Sequence, residues 1–268
     1  MKNIVLTFSL TLLILASAFT TVDERDLNIN TVVIDAGHGG KDSGTLGMSS
    51  KEKDIALKIA IELGKTIQKY LKDVKVIYTR TSDNFVELEE RAQIANKNGA
   101  DLFISIHCNS LPKETPEQKK QGIFGTETYI MGMHTSDANF DVAKRENAVI
   151  LMEEGNKESY EGFDPNSPES YILFSLYQSA YLENSLRLAE KIEQQFKERV
   201  KRKSRGVRQA GFWVLYRTSM PSVLVETGYL SNNNEEKYLS DAYGQTLIAS
   251  GLFRAFRDYK NEIESTIN

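Results

Sequence analysis

His38, Glu52, His107 and Glu226 each stand at or just beyond the end of an apolar run. His38 follows "VVIDAG" among Gly37, Gly39 and Gly40, His107 closes "LFISIH", and Glu226 closes "SVLVE". Glu52 falls in the loop after His38 or in the first turn of the helix beyond it. Two imidazoles and a carboxylate with one position left open make the ligand set of a catalytic zinc ion. Zinc lowers the pKa of water at that position to about 7. A second carboxylate off the metal can take a proton and return it to a leaving amine. His38, Glu52 and His107 are therefore assigned to one Zn2+ per chain, and Glu226 to the proton. A carboxylate inside "PSVLVETGYL" costs several kcal/mol to bury unless it is paired or used. The glycines let the backbone turn sharply and keep side chains clear of His38, and Asp35 is the candidate for orienting the site. The helical HExxH arrangement is absent. His134, in "GMHTSD", reads as a surface or lid residue, and Cys108, the only cysteine, as a spectator.

The sheet must bring these residues together. "TVVIDAG", "VKVIYT", "DLFISIHCN", "TETYIM" and "PSVLVETGYL" read as strands: short, apolar and β-branched. Between them lie helical patterns, "SSKEKDIALKIAIELGKTIQKYL" with Ser49 or Ser50 as its cap, and "FVELEERAQIANKN" closed by Gly99. "SAYLENSLRLAEKIEQQFKERV" and "DAYGQTLIASGLFRAFRDYKNEI" are helical as well. Alternating strands and helices predict a single α/β domain with a mostly parallel twisted sheet and helices on both faces. Ligands of such sheets bind at the carboxyl ends of the strands, where the four residues fall. The basic run "KERVKRKSRGVRQ" reads as the solvated end of the long helix.

One stretch breaks the alternation. From about 136 to 172 the chain makes an excursion too long for an ordinary connection, with a short helix expected at "RENAVILMEEG" and a loop at "GFDPNSPES". Such excursions are commonly lids, and this one is expected to be lid-like.

At the N-terminus a lysine, an apolar run from Ile4 to about Ala16 and then small residues form a secretory signal. The run is shorter than the roughly 20 residues of a membrane span. Cleavage is expected near Ala18, the signal reaching to about 22, which leaves 23–268 as the catalytic domain of an exported protein. A formal net charge of −4 gives no overall field for nucleic acid, which is not expected as a partner.

The motifs "VVIDAGHGGKDSGTLG", "KEKDIALKIA", "YTRTSDNFVELEERAQIAN", "LFISIHCNS", "RGVRQAGFWVL" and "PSVLVETGYLSNNNEEKYL" occur in the order of a known family. Over about Thr31 to Tyr259 the chain resembles the zinc-dependent N-acetylmuramoyl-L-alanine amidases of bacterial cell walls. The resemblance implies zinc on His38, Glu52 and His107, and Glu226 as catalytic glutamate. The implied reaction hydrolyses the amide between N-acetylmuramic acid and the L-alanine of the peptidoglycan stem peptide, for wall remodelling or daughter-cell separation. Arg80, Asp83 and Arg91 match family positions and are read as structural, an Arg–Asp turn and a helix contact. For the cell-separation branch the resemblance implies a regulatory helix folded over the zinc and displaced by an activator protein, and the excursion falls at its place. Glu146, Glu153 and Glu154 are the candidate inhibitory ligands. The branch also implies the periplasm. Two alternatives stay open: a zinc peptidase cutting within the stem peptide, and a wall-binding module without turnover.

Overall fold

In the computed structural model, residues 28–133, 136–153, 160–175 and 180–265 are described. The signal segment, His134 and Glu154 lie outside them. Among the described residues no helix is long and apolar enough to cross a membrane.

Six strands form one sheet: β1 (Thr31–Ala36), β2 (Lys75–Tyr78), β3 (Leu102–Asn109), β4 (Thr126–Met131), β5 (Ser204–Ala210) and β6 (Ser222–Tyr229). Their order is β2-β1-β3-β6-β4-β5, and every neighbouring pair is parallel except β4 against β6. β5 was absent from the expected strands. Its sequence, SRGVRQA, has little apolar character because it is an edge strand whose residues are mostly half-buried.

The α-helices are α1 (Glu52–Tyr70), α2 (Leu88–Lys97), α3 (Glu117–Gly122), α4 (Asp137–Asn147), α5 (Ile172–Ser175), α6 (Leu182–Gln195), α7 (Trp213–Tyr216), α8 (Asn233–Ser240) and α9 (Ala242–Ser265). Val32, Ile34, Ile104, Ile106, Val223 and Val225 pack on one sheet face against Ile55, Ile59 and Leu63 of α1 and buried residues of α6 and α9. The alternate residues Val33, Phe103, Tyr129 and Leu224 face the other way, onto α2, α4 and α7. Strand periodicity thus sends Asp35, His107 and Glu226 to this second face.

Ser49 and Ser50 do not cap α1. Lys51 stands at the cap without a side-chain bond, while the Ser49 and Ser50 amides donate to Glu236 of α8 at 2.8 and 3.0 Å. The excursion is part of the core: Val142, Ala143, Ile150, Tyr160, Tyr171 and Phe174 pack around Phe212 and Trp213. Its helix starts earlier than "RENAVILMEEG", because Ser136 accepts from the Asn139 amide as its N-cap.

Asp35 is fully buried and accepts from Arg91 (2.8 Å), Thr79 (2.7 Å) and Ser105 (2.6 Å). Burial pushes its carboxyl up, but Arg91 and the two hydroxyls outweigh burial and hold it below the usual carboxylate range. Asp35→Asn should leave Arg91 buried without its counter-charge and cost about 3 kcal/mol. A melting temperature lowered by about 6–12 °C would show it. A carboxyl held low when folded stabilises above its unfolded pKa, so the wild-type advantage should fade as pH falls below about 4.

Candidate metal centre

His38 lies just past β1 with φ of 60°, a left-handed conformation that non-glycine residues seldom adopt. Two buried arginines hold it there. Arg80 donates to the carbonyls of Ala36 (2.9 Å) and Gly37 (2.7 Å), and Arg91 to those of Ala36 (2.7 Å) and His38 (2.7 Å). These residues are structural as expected, but the Arg–Asp turn differs. Asp83 takes the Gly40 amide and the Lys53 ammonium, both at 2.8 Å, and so pins the glycine loop to α1.

Glu52 opens α1, and His107 lies near the end of β3, opposite Glu226 of β6. Glu52 Oε1 lies 3.0 Å from His38 Nε2 and 3.1 Å from His107 Nδ1. Amides of Cys108 (2.8 Å) and Thr45 (2.7 Å) fix the two Glu52 oxygens. Asp42 Oδ2 sits 2.7 Å from His38 Nδ1, leaving Nε2 facing the cluster. The orienting carboxylate is therefore Asp42. Asp35 acts one step further out, through Arg91, which donates to the His38 carbonyl. The signal for Asp42 was its place four residues after His38 in the same glycine-rich loop.

Among the expected candidates of the excursion, Glu146 reaches the site. Its Oε2 lies 3.2 Å from His38 Nε2 and 3.0 Å from His107 Nδ1. Glu153 goes elsewhere: it accepts the Leu88 amide at the start of α2 and is bonded by the Tyr160 hydroxyl. Arg145, which sequence reasoning did not single out, donates to Glu146 Oε1 at 2.9 Å and lies 3.4 Å from Glu226 Oε1. It also donates to the Ser110 carbonyl (2.9 Å) and to Asn109 Oδ1 (3.1 Å).

Donor atoms of His38, Glu52, His107 and Glu146 all lie within 4.8 Å of one another. The four N···O separations, 3.0–3.2 Å, are close to the edges of about 3.3 Å in a tetrahedron with bonds of about 2.0–2.1 Å. His38 Nε2 and Glu146 Oε2 are buried at contact distance yet lack hydrogen-bond alignment, as donors around a shared centre would. The residues present fit a divalent ion. Electrostatics agree: burial pushes both imidazoles down, yet the carboxylates hold His38 well above its ordinary value and His107 at about 9. Burial pushes Glu52 up, but the imidazoles pull it down to about 2. Two buried carboxylates call for positive charge between them.

Glu226 is fully buried, and among the described residues its Oε2 has no hydrogen-bond partner. Burial and the nearby Glu146 charge push its carboxyl well above the ordinary value, the direction expected of a group that exchanges a proton. Burial, reinforced by Glu52, keeps the Cys108 thiol protonated. Beside the cluster a cavity of about 1170 Å³ runs between the loop after β3, α4 and β5.

A Cβ on Gly37 would lie 2.4–2.8 Å from three atoms of the His107 ring. Gly37→Ala should displace that ring and weaken metal binding about 10–100-fold while the fold persists. Competition with a chromophoric chelator, with circular dichroism alongside, measures this.

A family model described as N-acetylmuramoyl-L-alanine amidase matches residues 32–258. AmiA of Escherichia coli, named an N-acetylmuramoyl-L-alanine amidase, is 35% identical over 236 residues, covering 86% of this chain and 78% of that one. Among solved structures, an N-acetylmuramoyl-L-alanine amidase from Clostridium difficile superposes with a TM-score of 0.62 at 26% identity, covering 87% of this chain and 98% of that one. The amidase AmiC2 of Nostoc punctiforme gives 0.60 at 29% identity, covering 85% and 96%.

Proposed function

Since the chain belongs to the N-acetylmuramoyl-L-alanine amidase family, we propose that it cuts the amide between N-acetylmuramic acid and the L-alanine of the stem peptide with zinc held by His38, Glu52 and His107. The carrying observation is the convergence of these three donors from β1, α1 and β3 beside a buried carboxyl on the adjacent strand β6. Zinc bound there would supply a Lewis acid and lower the pKa of the attacking water. Asp42 holds the His38 ring with Nε2 turned inward. Glu226 takes the water's proton and passes it to the leaving alanine nitrogen.

The resting enzyme is autoinhibited in this reading. Glu146 occupies the fourth donor place and Arg145 covers Glu226, both from the last turn of α4. An activator protein that draws α4 away would expose both groups at once. The N-terminal signal directs export, most consistently to the periplasm, and wall remodelling or cell separation is the corresponding role.

Mass analysis of digested, purified sacculi tests the reaction. Free stem peptides and intact glycan are expected, with release abolished by a chelator and restored by zinc. Cut stem peptides would instead identify a peptidase, and no release at all a binding module.

A further inference from the structure

At one level of the sheet, functional residues form a row. His107 of β3 pairs with Glu226 of β6, and Glu226 with Glu127 of β4. On β5 the pairs Thr126–Ser204 and Thr128–Val207 bracket Arg205. At about 4.8 Å per strand, Arg205 lies two steps, or about 10 Å, from Glu226. The register shift between those pairs gives β5 one residue more than β4, at Gly206 with φ of 89°. Ser204 and Val207 both face α6, and Arg205 and Arg208 both line the cavity.

The two arginines are prepared differently. Arg205 Nε donates to Glu127 Oε1 at 2.9 Å. Glu127 is itself buried and saturated, its Oε2 receiving Asn109 (3.1 Å) and Tyr129 (3.0 Å). Glu127 thereby fixes the guanidinium beside the Tyr229 ring, 5.5 Å from its centroid. Arg208 is half-buried in the cavity wall, and among the described residues its guanidinium has no ion pair or side-chain hydrogen bond. Lys113 and Lys119 line the same cavity, within a chain of net charge −4. A positioned guanidinium beside an uncompensated one suits a carboxylate, which the planar fork binds with two parallel hydrogen bonds.

We propose that Arg205 and Arg208 form a carboxylate subsite for a free acid two or three residues beyond the scissile amide. The reach fits, since two or three extended residues span about 7–10 Å. This inference rests on the amidase reading for the direction in which the peptide runs.

The test compares two N-acetylmuramoyl tripeptides that begin with L-alanine, the carboxylates beyond it free in one and amidated in the other. For a given protein the ratio of the two kcat/KM values cancels whatever fraction is occluded by α4. Wild type should favour the free acid by about tenfold or more. In Arg208→Gln and in Arg205→Gln that ratio should fall toward unity through KM rather than kcat. No preference in wild type, or a preference that survives both substitutions, would overturn the subsite. Mass analysis of the same reactions separates it from the parent reading. Cleavage elsewhere in the peptide with the arginine-dependent preference intact would keep the subsite and remove the amidase assignment. Cleavage at the alanine amide without preference would do the reverse.

Discussion

Glu226→Gln is expected to lower turnover on sacculi by about 10²–10⁴, the usual worth of a positioned general acid–base group. Metal content, read by atomic spectroscopy, should stay at wild-type level, because the cluster donors are His38, Glu52, His107 and Glu146 and Glu226 is not among them. Its pairing with His107 across β3 and β6 nevertheless puts it one strand from the cluster. The substitution keeps shape and removes a carboxyl that burial already disfavours, so the melting temperature should hold or rise. Loss of turnover with metal and fold intact separates proton transfer from metal binding. Wild-type turnover would remove Glu226 from the mechanism, and loss of metal would show that it serves the ion instead.

The residues in that prediction were legible because they interrupt strong patterns. His107 and Glu226 end runs that alternate between two buried faces, and polar groups there must have partners or uses. His38 was legible from its glycines, although the arginines that hold its backbone belong to the next strand–helix unit and showed only as structural positions. Asp35 was singled out and Asp42 was not, although both acids flank the same turn. Register decides between them: Asp35 is fixed by β1 pairing with β3, while the loop bends Asp42 back onto His38. β5 was hidden because an edge strand with one bulge carries neither an apolar run nor a clean alternation. The excursion was visible as an interruption of rhythm, but its contribution to the core was not. Its aromatic residues acquire partners only when Phe212 and Trp213 arrive from far along the chain.

That packing determines how occlusion must be tested. Removing 136–172 would strip Val142, Ala143, Ile150 and Tyr160 from the second core, so a deleted protein would report on folding rather than on inhibition. Glu146→Ala is the cleaner change. It removes the donor facing both histidines and frees Arg145 Nε, yet leaves α4 held by Asn147, which donates to the Gly211 carbonyl at 2.7 Å and accepts from the Trp213 amide at 2.9 Å. In the autoinhibited reading, two or so charge-assisted contacts, at about 1.5–3 kcal/mol each, would bias the occluded state. After relaxation of the remaining contacts, a net loss of about 3 kcal/mol corresponds to a basal rate about 10²-fold higher on sacculi. The same variant should surrender its metal to a chelator more readily, having lost one donor. Rate and retention then move in opposite directions, which a damaged active site would not produce. Arg145→Gln added to it should raise the rate further by uncovering Glu226, since the two side chains block different groups from one helical turn. A basal rate that stays level or falls in folded Glu146→Ala protein would show that Glu146 is not an inhibitory ligand.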